Sequence, residues 1–288
     1  MQKASFPIQL MCRLLEVSPS GYYAWRTRKP SNREKENKML VKHIQVIHPK
    51  SHRSYGSPRV TAELRAMGFE VGRHRMARLM QQQGICGVVG RRFRKTTDSN
   101  HKHGVAPNLL QRNFHAESPD QAWVADISYV WTMEGWLYLS VIVDLFSRRV
   151  VGWSMDKTMT EDLVHDALRM ALGHRVPCTS GLVFHSDRGS QYAAIETRKA
   201  LRKAKITCSM SRRANCWDNA VAESFFATLK KELVYRTIFT TRAEAKTRIA
   251  ATIEVFYNRQ RRHSNNGYLS PVDFENQFYH EKTNHLAA

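Results

Sequence analysis

A chain of 288 residues has room for about two domains at roughly 150 residues each. With 42% hydrophobic and 24% charged residues it has the composition of a folding chain, which excludes global disorder. Its 45 Lys and Arg against 25 Asp and Glu give a formal charge of +20. No apolar run approaches the ~18 residues of a membrane span, and the start lacks the apolar core of a signal peptide. Cys12, Cys86, Cys178, Cys208 and Cys216 are scattered and form no C-x-x-C pair. That argues against a disulfide framework and a structural zinc, and a cytoplasmic location is expected.

The charge is uneven. Residues 1–113 hold 22 Lys and Arg against 6 Asp and Glu, a net +16, and the rest hold 23 against 19, a net +4. Such asymmetry reads as a basic module for a polyanion joined to a near-neutral body. Nucleic acid is the first expected partner and an anionic membrane surface the second.

In chain order, Ile8 to Leu15 reads as a short helix, broken by Val17-Ser18-Pro19-Ser20-Gly21. Ser18 is the expected N-cap and Pro19 the first residue of a helix to about Arg28. Arg33 to Ile47 reads as a charged connecting helix. Ser57-Pro58 repeats the cap signal, and Val60, Leu64 and Met67 recur at helical spacing. Gly68-Phe69-Glu70-Val71-Gly72 forms a turn, and a second helix from about Arg73 to Gln83 carries Arg73, Arg75 and Arg78. Helix, glycine-containing turn and arginine-rich helix is the helix-turn-helix layout, whose second helix enters the major groove. Two helices that merely pack together would share the pattern, and the charge favours DNA. Arg91-Arg92-Phe93-Arg94-Lys95 then opens a stretch without periodicity that ends near Pro119, read as a basic linker able to follow a phosphate backbone.

From Trp123 the period becomes two. Trp123, Ala125, Ile127 and Tyr129 share one face, and Val124, Asp126, Ser128 and Val130 the other. Glu134-Gly135 makes a turn, Trp136 to Val143 reads as a strand buried on both faces, and Arg149 to Met155 as a third strand. A helix capped by Thr160, a short strand at 182–185, a helix around 192–204 and a strand near 206–208 follow. A long helix from about Asn219 to Tyr235 completes an α/β layout and is expected to pack on the sheet by Ala222, Phe225, Phe226, Leu229 and Leu233.

Three carboxylates stand where a polar residue is out of place. Asp126 interrupts an apolar strand, Asp187 ends a buried strand before Arg188-Gly189-Ser190, and Glu223 lies about a quarter turn from the helix stripe. A helix docked by that stripe would aim Glu223 towards the other two. Three converging carboxylates could not all ionise without a cation. Hard oxygen ligands select Mg²⁺ or Mn²⁺, and two such ions about 4 Å apart would serve in-line phosphoryl displacement. Taken singly, each acid also fits a turn, a solvated helix face or a strand end. Asp144 is read as a turn residue, Asp218 as the N-cap of the long helix, and His185 as a packed strand histidine.

The stretches PNLLQRNF (107–114), WVADISYV (123–130), VIVDLFSRRVVGW (141–153), FHSDRGSQY (184–192), NCWDNAVAESFFATLKKEL (215–233) and YNRQRRHSNNGYLSP (257–271) closely resemble bacterial transposases of insertion-sequence family three. SYGSPRVTAELRAMGFEVGRHRMARLM (54–80) resembles the helix-turn-helix segment before their catalytic core. Arg188 stands where that family commonly has glutamine, and NNGY replaces a more usual LGY.

The resemblance implies a retroviral-integrase-type core with a ribonuclease-H-like mixed sheet flanked by helices, preceded by small all-α units. The 35 residues between Asp187 and Glu223 match the DDE spacing, which puts the family's catalytic and metal-binding triad on Asp126, Asp187 and Glu223. Lys230 falls on the family's DNA-contacting basic position. The expected organisation is a helix-turn-helix-like segment (1–30), a DNA-binding domain (31–95), a basic linker (96–119), the catalytic core (120–236) and a C-terminal helical extension (237–288).

Mg²⁺-dependent 3′-end cleavage and strand transfer on double-stranded DNA is the expected reaction, with two Mg²⁺ or Mn²⁺ ions per site. DNA contacts are expected from Lys230, Arg188, Asn219, Arg73, Arg75, Arg78, Arg91, Arg92, Arg94 and Lys95. A homo-oligomer on paired ends, in the bacterial cytoplasm with the nucleoid, is the expected assembly. No zipper-like heptad run is present, so the chain resembles the family's downstream frame, with an upstream-frame protein or fusion as partner. The alternatives are a ribonuclease-H-like nuclease that only hydrolyses, and a non-catalytic helix-turn-helix regulator.

Overall fold

The computed structural model describes residues 6–88, 106–175, 181–212 and 216–287. Arg91, Arg92, Arg94 and Lys95 therefore lie outside the described residues. Among the described residues no helix is long and apolar enough to cross a membrane.

The N-terminal helices follow their sequence signals. α1 (Ile8–Leu14) and α2 (Pro19–Thr27) flank Ser18, whose side chain accepts from the Gly21 N–H at 3.0 Å. α3 (Asn32–Lys50) is capped by Ser31. In α4 (Ser57–Ala66) the N-cap is Gly56 rather than Ser57, one residue before the expected position. α5 (Arg73–Gln82) follows a turn in which Gly68 takes a φ of 89°, a conformation that glycine adopts without strain. Leu40, Ile44, Val60, Leu64, Met76 and Leu79 close a core between α3, α4 and α5.

The C-terminal half is built on a five-stranded sheet in the order β3-β2-β1-β4-β5. The strands are β1 (Ala122–Thr132), β2 (Gly135–Asp144), β3 (Val150–Asp156), β4 (Val183–Ser186) and β5 (Thr207–Met210). β1, β2 and β3 form an antiparallel meander, whereas β4 and β5 join in parallel through helical crossovers.

Both faces are covered, which is why β2 reads as a nearly continuous apolar run. On one face Trp123, Ala125, Ile142 and Val151 pack under α6 (Glu161–His174) and beside α8 (Ile195–Lys203). The short α7 (Ser190–Ala193) precedes α8, and extended Ala194 divides what the sequence suggested was one helix. The other face carries Val124, Val130, Leu139 and Val141 under α9 (Ala220–Glu232), through Ala222, Phe225, Phe226 and Leu229.

The segment after residue 237 belongs to the same core. α10 (Arg242–Ala251) continues into a π-helical stretch at Thr252–Tyr257, and Phe239, Ala245, Ile249, Ile253 and Tyr257 are buried against β1 and β2. α11 (Pro271–Ala287) follows. Residues 106–119, expected as a linker, lie against the core where they are described. Leu110, Phe114 and Ala116 pack on it, and the Leu109 N–H donates to Ser209 Oγ at 2.9 Å.

α6 approaches the sheet so closely that only a glycine fits beneath it. A Cβ on Gly152 would lie 2.2 Å from the Ala167 carbonyl oxygen and 2.8 Å from Ala171 Cβ. Both are held by a helix, so the backbone itself would have to move. Gly152→Ala is expected to destabilise the fold by at least ~1–3 kcal/mol, read as a lower denaturant midpoint at unchanged slope.

Candidate active site

β1 and β4 are paired in parallel from Ala122–Val183 to Ala125–Ser186. The next residues are Asp126 and Asp187. Parallel strands in register place neighbouring side chains on one face, with strands ~4.8 Å apart. The two aspartates therefore emerge side by side where β1 and β4 part. A backbone N–H anchors one oxygen of each: Ile127 N to Asp126 Oδ1 at 2.8 Å, and Gly189 N to Asp187 Oδ1 at 2.9 Å. Asp126 shares its face with Val124 and Val130, the face on which α9 lies, and Glu223 sits in the first turn of α9.

The charges of these groups act on one another. Burial pushes the Asp126 carboxyl well above the usual carboxylate range, and the negative charges of Asp187 and then Glu223 push it further. The Ile127 N–H and Lys230 oppose that rise. Tyr192, also buried, has its phenol raised by burial first and then by Asp126 and Asp187, which places it within the field of both aspartates.

Convergence is less tight than the sequence suggested. Among the described residues no group of three or more His, Cys, Asp or Glu is close enough to hold a metal ion as it stands. Asp126 and Asp187 emerge side by side, and the exposed Glu223 side chain raises the Asp126 carboxyl by its charge.

Two comparisons bear on what such an arrangement belongs to. Integrase core domain models match residues 116–216 and 204–271, and an HTH-like domain model matches residues 34–93. The chain is 40% identical over 277 residues to the transposase InsF of insertion sequence IS3A from Escherichia coli K12, covering 96% of each. It belongs to the IS3 transposase family. It is also 45% identical to the uncharacterized 31 kDa protein of insertion element IS600 from Shigella sonnei, over 93% of this chain and 98% of that one. Among solved structures, a simian T-cell lymphotropic virus intasome in complex with PP2A regulatory subunit B56 gamma matches at 16% identity with a TM-score of 0.47. That match covers 82% of this chain and 74% of the other, a likeness too loose to argue from.

For a transposase-family core, the remaining candidates fall in instructive places. Lys230 is half-buried, its Nζ 5.0 Å from the centre of the Tyr129 ring, and it acts electrostatically on Asp126. Arg188 donates from Nε to the Ser211 carbonyl at 2.7 Å, bracing the turn that carries Asp187. Asn219, expected at the DNA, is only 4% exposed, and its Nδ2 donates to the Ala125 carbonyl at 3.1 Å. It ties the start of α9 to β1 beside Asp126, and its side chain has almost no surface left to offer DNA.

Asp218 also differs from expectation. It lies in the 3₁₀ turn Cys216–Asn219, and Asn219 occupies the N-cap position of α9. Asp218 instead accepts from the Arg212 backbone N–H and guanidinium, from Arg112 and from Asn108. The Arg212 bonds hold its carboxyl well below the usual range. The sequence signal for this hub was the pair Asn108 and Arg112 in PNLLQRNF, whose partner lies more than 100 residues away. His185 is fully buried between Ser209 Oγ (2.8 Å) and Ser211 Oγ (3.2 Å), as a packed strand histidine. Asp144 accepts from the N–H groups of Asp120 and Ser147, as a turn residue does.

The helix-turn-helix unit divides its arginines. Arg73 and Arg78 are exposed on α5. Arg75, expected at the DNA, is turned inward: it pairs with both oxygens of Glu36 at 3.0 Å and donates to Asn37 Oδ1 at 2.9 Å. Its donors are committed to α3. Arg73→Ala and Arg78→Ala are each expected to reduce the slope of log affinity against log salt by about one. Arg75→Ala should leave that slope unchanged, as duplex titrations at several salt concentrations would read.

Proposed function

We propose that Asp126, Asp187 and Glu223 form the catalytic triad of a DDE transposase that cleaves the 3′ end of its element and joins it to a target. Membership of the IS3 family makes the chain a transposase, an enzyme that transfers polynucleotide ends. The observation that carries the residue assignment is the side-by-side emergence of Asp126 and Asp187 where β1 and β4 part, with the charges of Asp187 and Glu223 both acting on the Asp126 carboxyl.

The donor set suits a hard divalent cation. Three oxygen acids address one region, two of them fixed by backbone N–H groups, and a positive ion would relieve their repulsion. Asp126, Asp187 and Glu223 would hold Mg²⁺ or Mn²⁺, with two ions as our reading of the stoichiometry. Such ions polarise the scissile phosphate and activate the attacking oxygen.

The chain supplies the rest. Asn219 fixes the start of α9 against β1, which sets the distance from Glu223 to the aspartates. Lys230 adds positive charge at the strand edge beside Asp126. Exposed Arg73 and Arg78 take up duplex through phosphates. In our reading the working assembly is a homo-oligomer holding paired element ends on bacterial chromosomal DNA, with an upstream-frame protein or fusion contributing to end recognition.

A joining assay tests this. Duplex carrying the element end is incubated with a target duplex, with and without Mg²⁺. Metal-dependent nicking that frees a 3′-OH, followed by a joined product, is expected. Nicking without joining would favour the hydrolytic nuclease, and binding without nicking the regulator.

A further inference from the structure

Beyond Asp126, β1 loses β4 as a neighbour and continues for six residues paired to β2 alone. This stretch is lined with aromatic rings that are not buried. Tyr129 is 38% exposed, Trp131 55% and Trp136 44%. Trp136 meets Tyr129 edge-on at 5.0 Å between centroids and Trp131 edge-on at 4.8 Å. One cross-strand ring pair is enough to steady a hairpin. Three linked rings with this much open surface do more than that requires, on a molecule otherwise rich in charge.

Cations flank the rings. Lys230 Nζ lies over Tyr129 at the inner end. At the tip, Arg242 donates from Nε to the Trp136 carbonyl at 3.0 Å. The Arg242 guanidinium covers Gly135, where a Cβ would come within 2.9 Å of Nη2. Glu134, the nearby acid, accepts the Arg242 backbone N–H at 2.8 Å. Rings between positive groups, leading away from a phosphodiester-cleaving site, match the makeup of surfaces that bind unpaired strands: bases on the rings, phosphates on the cations. Tyr129 and Trp131 lie ~10 Å and ~17 Å along the strand from Asp126 but on the opposite face of the sheet. A DNA strand of about three to five base steps of ~3.4 Å would therefore pass around the edge of β1 that β4 no longer pairs, where Lys230 both lies over Tyr129 and acts on Asp126.

We propose that Tyr129, Trp131 and Trp136 form a stacking platform for unpaired nucleotides of a DNA strand whose reacting end lies at Asp126 and Asp187. The proposal rests on the DNA-cleaving reading of the carboxylate site, but it concerns binding and can be read without catalysis.

The test uses the full chain in EDTA, so that no cleavage occurs, with a short oligothymidylate as probe. Tryptophan fluorescence is expected to be quenched on titration. Trp131→Ala should weaken oligonucleotide binding about tenfold or more, and Trp131→Phe should hold it within about threefold. Neither change should alter the affinity for blunt duplex or the melting temperature. A heparin fragment of similar charge should bind wild type and Trp131→Ala equally. Equal oligonucleotide affinity in wild type and Trp131→Ala would overturn the platform. So would a smaller assembly of Trp131→Ala than of wild type by light scattering, which would assign the rings to a second copy of the chain. Failure of the catalytic reading would show separately, as absence of metal-dependent nicking in a chain that still binds the oligonucleotide.

Discussion

Asp126→Asn, Asp187→Asn and Glu223→Gln are each expected to lower metal-dependent strand cleavage by at least three orders of magnitude while leaving duplex affinity within about twofold. The size follows from what the carboxylates do. If the cluster holds the metal as proposed, removing one of its charges would weaken the grip on the ion that would polarise the phosphate, and several kcal/mol of transition-state stabilisation correspond to factors of a thousand or more. Duplex affinity should hold because phosphate contacts reside on the helix-turn-helix unit.

The three variants should differ in stability. Burial and the negative charges of Asp187 and Glu223 raise the Asp126 carboxyl, so the ionised group is unfavourable there, and Asn at that position is expected to melt at or above the wild-type temperature. Glu223 is exposed, and Gln there should leave melting unchanged. Gel assays of nicking, paired with melting curves, separate lost chemistry from lost fold. Substantial nicking by any of the three would remove that residue from the triad.

The placement of the three acids on their elements was legible in the sequence because it is written in local patterns. Alternation from Trp123 to Val130 assigned Asp126 to a face, the apolar run before Asp187 marked a strand end, and the α9 stripe oriented Glu223. Each depends on a period of two or 3.6 residues, which a linear reading can detect. Pairings between distant segments leave no such trace. Arg75 reads as a DNA contact by its neighbours on α5, and only the fold reveals Glu36 and Asn37 beneath it. Asp218 looks like an N-cap because it precedes a helix, yet Arg112, Arg212 and Asn108 converge on it. Asn219 likewise reads as exposed until β1 is seen to run under its amide. The integrase-type core was thus readable from periodicity and resemblance, whereas the committed state of individual polar groups was not.

The second large effect is expected at the ionic network that locks α11 to the sheet. Glu275, 2% exposed, accepts from Arg149 Nη1 at 2.8 Å, from Ser147 Oγ at 2.7 Å and from Arg175 Nη2. Arg175 is itself buried and reaches Asp120 Oδ2 at 3.4 Å. Glu275→Ala leaves the Arg175 guanidinium desolvated with one long contact, and breaking such a buried pair costs about 3–5 kcal/mol. Arg149 is 30% exposed and can turn to water, which favours the lower figure. At 2–4 °C per kcal/mol for a chain of this size, the melting temperature should fall by roughly 6–12 °C.

The ionic network is not alone in holding α11 down. Phe146 lies between Phe274, tilted against it at 4.8 Å, and Phe278, edge-on at 5.0 Å, an apolar contact that Glu275→Ala leaves in place. Arg175→Met combined with Glu275→Leu removes both buried charges and keeps the volume, so this pair should melt above either single variant. Hydrogen exchange locates the loss: protection should fall first in α11 and around Ser147. If the single and double variants melt together, desolvation of an orphaned guanidinium is not the cause, and α11 is held by the phenylalanines alone.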